Sequence, residues 1–380
     1  MLIVSFDCEF KDKLLIFILI IISASPILPN GVRLFLLVLV ISFLILKLIN
    51  KKVTSLLLLF VGVFTISLTQ DAYYITEYGF NTGSLIYIPL SLFSGYLVAQ
   101  SYHPTYFLNI YEKIVSVLCI LALVLYAVFM SFPQLIVILP DYSYYNMNNK
   151  TAYFLNVLTS ESGKSIGRNS GFASEPGLYQ FFINLALWWR LRRNKGAIDL
   201  ISWVYVATIV TTNSTVGILC LLLILFINSS RSTFFLIIIL SIVSFPLLVS
   251  TYEYQLQNKL MGSDAFRSRL EPFINAINYS LVNLAGIGSV KYSAIYEALN
   301  IGGWDSFSQT ILRYGYQGFI VLSIALASVV RMNLAIGIVI IALLCAQNLW
   351  FVSVVSVFYF WALDWNKSKA LYGAIQKEST

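Results

Sequence analysis

The chain has 380 residues, of which 59% are hydrophobic and only 11% charged, and its mean hydropathy is +0.82. Soluble domains carry about 25% charged residues, so the composition excludes an ordinary soluble protein and points to a multi-spanning membrane protein. The net charge of +7 is accordingly read as membrane orientation and not as a nucleic-acid surface, because excess Lys and Arg in polytopic chains marks the cytoplasmic side.

A span needs ~20 apolar residues. In chain order, the pattern predicts spans at 14–29, 32–49, 53–70, 84–102, 111–132, 176–191, 197–211, 214–229, 233–250, 306–329, 334–346 and 349–365. The first is read as a membrane helix and not a cleavable signal, since the apolar stretch after Lys13 runs on toward a second span. The last two are read as a hairpin broken at Gln347-Asn348, because one continuous helix would overshoot the bilayer. With the N-terminus in the cytoplasm, fifteen of the 24 Lys and Arg residues fall on inner segments. Only Arg33 offends near a short outer turn. Both termini are expected inside.

The expected fold class is an all-α polytopic membrane protein of about twelve transmembrane helices. Residues 1–132 hold helices one to five, 133–175 an extracytoplasmic loop, and 176–250 helices six to nine. Residues 251–305 form a second extracytoplasmic loop with an amphipathic helix, and 306–380 hold the last three helices and a cytoplasmic tail. The four cysteines, at 8, 119, 220 and 345, show no CxxC spacing, so neither a disulfide framework nor a metal site is expected. His103, the single histidine, reads as a loop residue beside Pro104.

Seven basic residues lie in the two long loops, where the charge rule does not apply. Long ordered loops tend to carry function, which places the working face outside. The first loop opens with the polar, aromatic run "PDYSYYNMNNK", and its middle, "TAYFLNVLTSE", is expected to form a short interfacial helix. It closes on "GRNSGFASEPG", where Gly167 and Gly171 bracket Arg168 and Glu175-Pro176 opens a helix. In the second loop, Phe273, Ile274, Ile277, Leu281 and Leu284 recur at helical spacing, giving an amphipathic helix lying on the outer leaflet. That helix is expected to begin at Glu271-Pro272, with Arg267 and Arg269 just ahead of it.

Taken singly, Glu175 and Glu271 read equally well as helix caps, each worth ~0.3–1 kcal/mol. As a set, Arg168, Arg267 and Arg269 beside helix starts form an anion clamp, because guanidinium binds phosphate bidentately and helix N-termini add backbone donors. Arg313 lies about two turns inside the span at 306–329. A charge at mid-bilayer costs ~2.5–3.5 kcal/mol, so Arg313 is read as facing a polar cavity beneath the loops, with snorkelling to the surface as the alternative.

Three segments resemble the O-antigen polymerase family, within the O-antigen ligase/polymerase superfamily. "GRNSGFASEPG" resembles that family's entry into a central helix, "TTNSTVGILCLLLIL" its Ser-Thr-x-Gly turn, and "GIGSVKY…DSFSQTILRYGYQGFI" its Gly-x-Gly loop followed by a helix with Gly-x-x-Gly, here Gly315 and Gly318. The resemblance covers residues 165–345 and implies a GT-C-like membrane fold. It implies polymerisation of undecaprenyl-pyrophosphate-linked oligosaccharide units at the outer face of a bacterial cytoplasmic membrane, into O-antigen, capsule or exopolysaccharide. By the same resemblance Arg168, Arg267, Arg269 and Arg313 would bind the pyrophosphate, and Glu175, then Asp305, would serve as general base. No cofactor and no metal is implied. A chain-length regulator and a flippase of the same pathway are the implied protein partners.

The sequence departs from the superfamily's ligases, which carry a His-Asn pair where this chain has Trp304-Asp305. It also lacks an Arg-x10-Gly pattern, with Tyr179 ten residues after Arg168 and Asn278 after Arg267. The alternatives are a ligase-type glycosyltransferase and a flippase of lipid-linked oligosaccharide. The flippase reading lacks the internal repeat expected of a transporter.

Overall fold

The computed structural model describes residues 2–24, 30–48, 55–78, 86–144, 147–152, 155–159, 166–173, 175–228, 263–296, 305–346, 352–364 and 366–369. The predicted ninth span, 233–250, and residues 347–351 lie outside these. Every other predicted span falls on a helix. In chain order the helices are α1 (Leu2–Ala24), α2 (Asn30–Leu48), α3 (Ser55–Tyr78), α4 (Ile88–Ser101), α5 (Pro104–Ser131), α6 (Pro176–Arg193), α7 (Leu200–Thr211) and α8 (Thr215–Asn228). They continue with α9 (Ser263–Val282), α10 (Gly288–Ile295), α11 (Ser306–Met332), α12 (Leu334–Ala346) and α13 (Ser353–Leu363). Among the described residues, three helices are long and apolar enough to cross a membrane: Leu57–Glu77 within α3, Pro104–Ser131 and Ser306–Met332. The described residues are mostly helical, with these three helices as candidate membrane spans.

Helix α6 is the centre. From Leu178 to Trp189 every residue is buried, the signature of a helix apolar on all sides and packed on all sides. Its two polar members are paired within the core. Asn184 Nδ2 donates to Gln180 Oε1 at 2.8 Å and to the Gly217 carbonyl on α8 at 3.2 Å. Between α4 and α13 the contact is made by serines, with Ser91 and Ser94 hydroxyls 2.9 and 2.8 Å from Ser353 Oγ. Small polar residues of this kind let helices approach closely where no hydrophobic force drives them together.

The first loop departs from expectation. Residues 151–152 and 155–159 of the expected helix are extended: β1 (Asp141–Tyr144), β2 (Met147–Ala152), β3 (Leu155–Thr159) and β4 (Ile166–Gly171) form an antiparallel sheet in the order β1-β2-β3-β4. Its register pairs Tyr142 with Asn149, Thr151 with Asn156 and Leu158 with Arg168. The physical reason lies in packing. Val157 docks on Phe129 near the end of α5 and on Ile136 of the following 3-10 turn, and an extended strand presents that residue while pairing its backbone on both edges.

The helices have two distinguishable ends. At one, the sheet covers the C-terminal end of α5, and β4 leads into the N-terminus of α6. At the other, α5, α6 and α7 are stapled by an ion cluster. Buried Glu112 accepts from Arg190 Nη1 at 2.5 Å, from Arg193 Nη2 at 3.3 Å and from the Tyr205 hydroxyl at 3.1 Å. Asp199 receives both Arg190 Nε (2.8 Å) and the backbone N–H of Ser202 (3.0 Å), capping α7. Hydrogen bonds from Arg190 hold the Asp199 carboxyl well below the usual carboxylate range. Around the start of α5, Asp12 accepts from the Tyr102 hydroxyl at 2.7 Å and Lys367 Nζ donates to the Tyr102 carbonyl at 3.3 Å.

Candidate functional site

The second loop and α11 build the most unusual feature. Helix α11 starts where the sequence puts it: Asp305, in extended conformation, accepts from Ser308 N at 2.7 Å and Ser308 Oγ at 2.6 Å. About two and a half turns on, the helix breaks at Gly315, whose φ of 67° and ψ of −166° are open to glycine alone. The break frees backbone groups inside an apolar helix, and those must find partners.

They find them in the segment between α9 and α10. Tyr316 N–H donates to the Leu284 carbonyl at 3.1 Å, and Ile287 N–H donates to the Leu312 carbonyl at 2.8 Å. The Ala285 carbonyl accepts from two amides, Gln70 Nε2 on α3 at 3.1 Å and Gln317 Nε2 on α11 at 2.9 Å. The Gly-x-Gly loop is therefore a strap threaded into the helix break. A Cβ at Gly315 would lie 2.4 Å from the Ala285 carbonyl carbon, so the two chains touch where only glycine fits.

Two charges converge beside the strap. Asp71, on a stretch of α3 that runs eight residues past the predicted end of that span, is almost fully buried. Its Oδ1 accepts from Val290 N–H at 2.8 Å, so a carboxylate from another helix caps the start of α10. Ser67 Oγ donates to Oδ2 at 3.3 Å. Arg313, partly buried, places its guanidinium carbon 4.5 Å from the centre of the Tyr292 ring on α10. It lies close enough to Asp71 and to the Tyr314 hydroxyl to interact with both electrostatically. Its buried Nε has no hydrogen-bond partner among the described residues. One turn further along, Lys291 Nζ sits 4.6 Å from the Tyr74 ring centre and donates to its hydroxyl at 3.2 Å.

The remaining residues singled out in the sequence occupy other supports. Arg168, on β4, donates from Nε to the Thr212 carbonyl at 2.8 Å and from Nη2 to the Asn213 carbonyl at 2.9 Å. Its neighbour Asn169 reaches Thr211 Oγ1 at 3.0 Å. These contacts cap the C-terminus of α7, where carbonyls lack intrahelical partners and a cation is favoured. Gly171 (φ 51°) then turns the chain so that Phe172 packs edge-on against Tyr179, at 5.1 Å between ring centres. Glu175 is the N-cap of α6 by backbone: its carbonyl accepts from Leu178 and Tyr179 N–H, and no side-chain cap bond forms.

Arg267 and Arg269 lie within α9 instead of ahead of it, because that helix begins at Ser263 and carries Pro272 inside. The expected Glu271-Pro272 helix start is corrected accordingly. Proline suits a first helical turn but does not require one; the helix here passes through it at the loss of one backbone bond. Asp305 is committed to Ser308, and Arg168 to two carbonyls. Asp71 went unnoticed in the sequence because the apolar pattern faded before it. Its signal was a lone carboxylate following "TISLTQ" on a continuing helix. No protein-family model matches the chain, and no curated protein matches it.

Proposed function

We propose that this protein is a polymerase that joins undecaprenyl-pyrophosphate-linked oligosaccharide units at the outer face of a bacterial cytoplasmic membrane. The observation that carries the reading is Arg313. A guanidinium held on an aromatic face, inside a helix apolar enough to span a bilayer, with a buried N–H left unpaired among the described residues, suits an anionic group that belongs to a lipid. The charge that builds on a pyrophosphate leaving group would be met there by a preorganised donor. The three segments carrying the family resemblance support the reading, since each is a joint at which elements lock together.

In this reading the chain has about twelve spans, both termini cytoplasmic and both long loops outside, so the sheet end and the strap face outward. Glu175 remains the first candidate base, as the carboxylate that opens α6 beyond the strand that carries Arg168. Arg168, Arg267 and Arg269 keep their proposed part in holding the lipid phosphate. A phosphatase-reporter fusion after Asn258 should be active and one after Asn194 silent; the reverse would overturn the orientation.

A second reading has its own observation. A spanning helix broken at membrane depth, with another segment inserted at the break, is a device of transporters, which supports a flippase of the same lipid-linked units. The deciding experiment is a glycan ladder from cells with the gene deleted and then restored. A single repeat unit on its anchor after deletion supports the polymerase. No exported unit supports the flippase, and polymer retained on its lipid carrier supports a ligase. Restoration with Arg313→Gln tests the site: full-length polymer from that variant at normal protein level would remove Arg313 from it.

A further inference from the structure

We infer that residues 263–296 form a re-entrant hairpin that dips into the bilayer and returns, with the apolar stripe of α9 seated against lipid hydrocarbon tails. The inference rests on the chain being a membrane protein and does not depend on the polymerase reading.

Two independent rulers give the depth of the hairpin tip. On α11, the tip bonds to Leu312 and Tyr316, six and ten residues beyond the helix start at Ser306. At 1.5 Å per residue that is about 9–15 Å down the axis of a spanning helix. On α3, the tip bonds to Gln70, seven residues before the span ends at Glu77, or about 10 Å. Tyr74 and Lys291 meet closer to that end of α3 than Asp71 and Val290 do, so α10 climbs back as it leaves the tip.

The faces of α9 sort in the same sense. Ala276 and Ser280 are buried, and α9 packs on α11, where Ala276 and Tyr279 share an apolar cluster with Ile311 and Leu312. Ile274, Ile277, Leu281 and Leu284, at helical spacing, point away from the protein. Their exposures are 46% at Ile274, 38% at Ile277, 60% at Leu281 and 61% at Leu284, with neighbouring Val282 at 84%. In water this would be an uncovered apolar stripe of the kind soluble surfaces avoid. Ile320 and Ile324, beyond the break on the spanning helix α11, are exposed as well.

Irregular backbone survives at that depth only when protein satisfies its polar groups. Here the Leu284 and Ala285 carbonyls and the Ile287 N–H all have protein partners, two of them glutamine amides that a spanning helix would otherwise have no use for. The amphipathic helix expected to lie flat on the outer leaflet is thus inferred to descend into it.

The test is quenching. The full-length protein, with Cys8→Ser and Cys345→Ser, receives one cysteine at Ile277, Leu281 or Val282, is labelled with the fluorophore NBD, and is placed in nanodiscs. Because all three positions are exposed, labelling leaves the packing intact; Lys195→Cys serves as the water-facing control. In phosphatidylcholine with brominated acyl chains the three labels should lose emission, and aqueous iodide should leave them bright while quenching the control. Quenching by iodide and not by brominated lipid would put the hairpin in water and overturn the inference. Protection from both quenchers would mean that protein covers the stripe, a second copy or another chain, and would overturn it equally.

Discussion

Gly315→Ala is expected to unseat the strap. Any side chain must leave the conformation at φ 67° and ψ −166°, which costs ~1–3 kcal/mol. The added methyl would also stand 2.4 Å from the Ala285 carbonyl carbon and 2.5 Å from the Leu284 oxygen, both backbone atoms that cannot rotate away. Moving the strap breaks the Tyr316–Leu284 and Ile287–Leu312 bonds, at roughly 0.5–1.5 kcal/mol each. Together these come to about 2–6 kcal/mol, a large share of a typical stability of ~5–15 kcal/mol. The assay is unfolding of purified protein by SDS titration, followed by tryptophan fluorescence. Gly62→Ala is the control: it lies within α3 with nothing inside 4 Å of its built Cβ, and helix propensity there favours alanine by up to ~1 kcal/mol. The variant at 315 should lower the midpoint sharply and the one at 62 should leave or raise it. Equal midpoints would refute the threaded strap.

Gly171→Ala should also destabilise, by about 2–4 kcal/mol from left-handed strain and overpacking, because its Cβ would lie 2.1 Å from the Tyr179 ring; the same titration reads it, and an unchanged midpoint would contradict the packed joint. Glu112→Gln should cost about 2 kcal/mol, less than the ~3–5 of a fully buried broken pair, since Arg193 is 31% exposed. A double-mutant cycle with Arg193→Gln checks it, and zero coupling would deny the ion cluster a stabilising part. Asp305→Asn should keep both stability and glycan length, because asparagine caps as well as aspartate and the carboxylate is already engaged by Ser308. Loss of polymer with unchanged stability would restore Asp305 as a base.

The helices were legible where local chemistry marks them. Pro176 sits at a first helical position and Asp305 caps α11, so those starts could be read directly, whereas α5 begins at Pro104, seven residues before the predicted 111, with His103 as its N-cap. The sheet could not, because "TAYFLNVLTSE" is short and apolar, and such a run does not separate strand from helix until its pairing partners are known. The end of α3 was misjudged for a related reason. Gln70 and Asp71 lower the hydropathy, but their polar groups are matched by Ala285 and Val290, more than 200 positions away in the chain. Hydropathy counts a polar residue against a span without knowing whether the fold supplies its partner. Among the sites, Arg313 stood out because a charge in an apolar run is costly. Its companion Asp71 stood at the margin of one and carried no such mark.

Two of the arginines in the phosphate reading, Arg168 of the expected clamp and Arg313 within the spanning helix, differ in how each is held. Arg168 spends Nε and Nη2 on the Thr212 and Asn213 carbonyls. A phosphate drawing it away would have to replace two bonds from a charged donor, each worth roughly 1.5–3 kcal/mol, and would uncap α7. Arg313 is held instead by a ring face, by the field of Asp71 and by the Tyr314 hydroxyl, and its buried Nε has no hydrogen-bond partner among the described residues, which leaves part of its planar fork for phosphate. Loss of glycan length in Arg168→Ala would therefore mix binding with folding. Arg313→Lys separates them, because lysine keeps the charge and surrenders the planar fork. A polymerase or flippase that grips a lipid phosphate at this point should weaken in Arg313→Lys while the SDS midpoint holds.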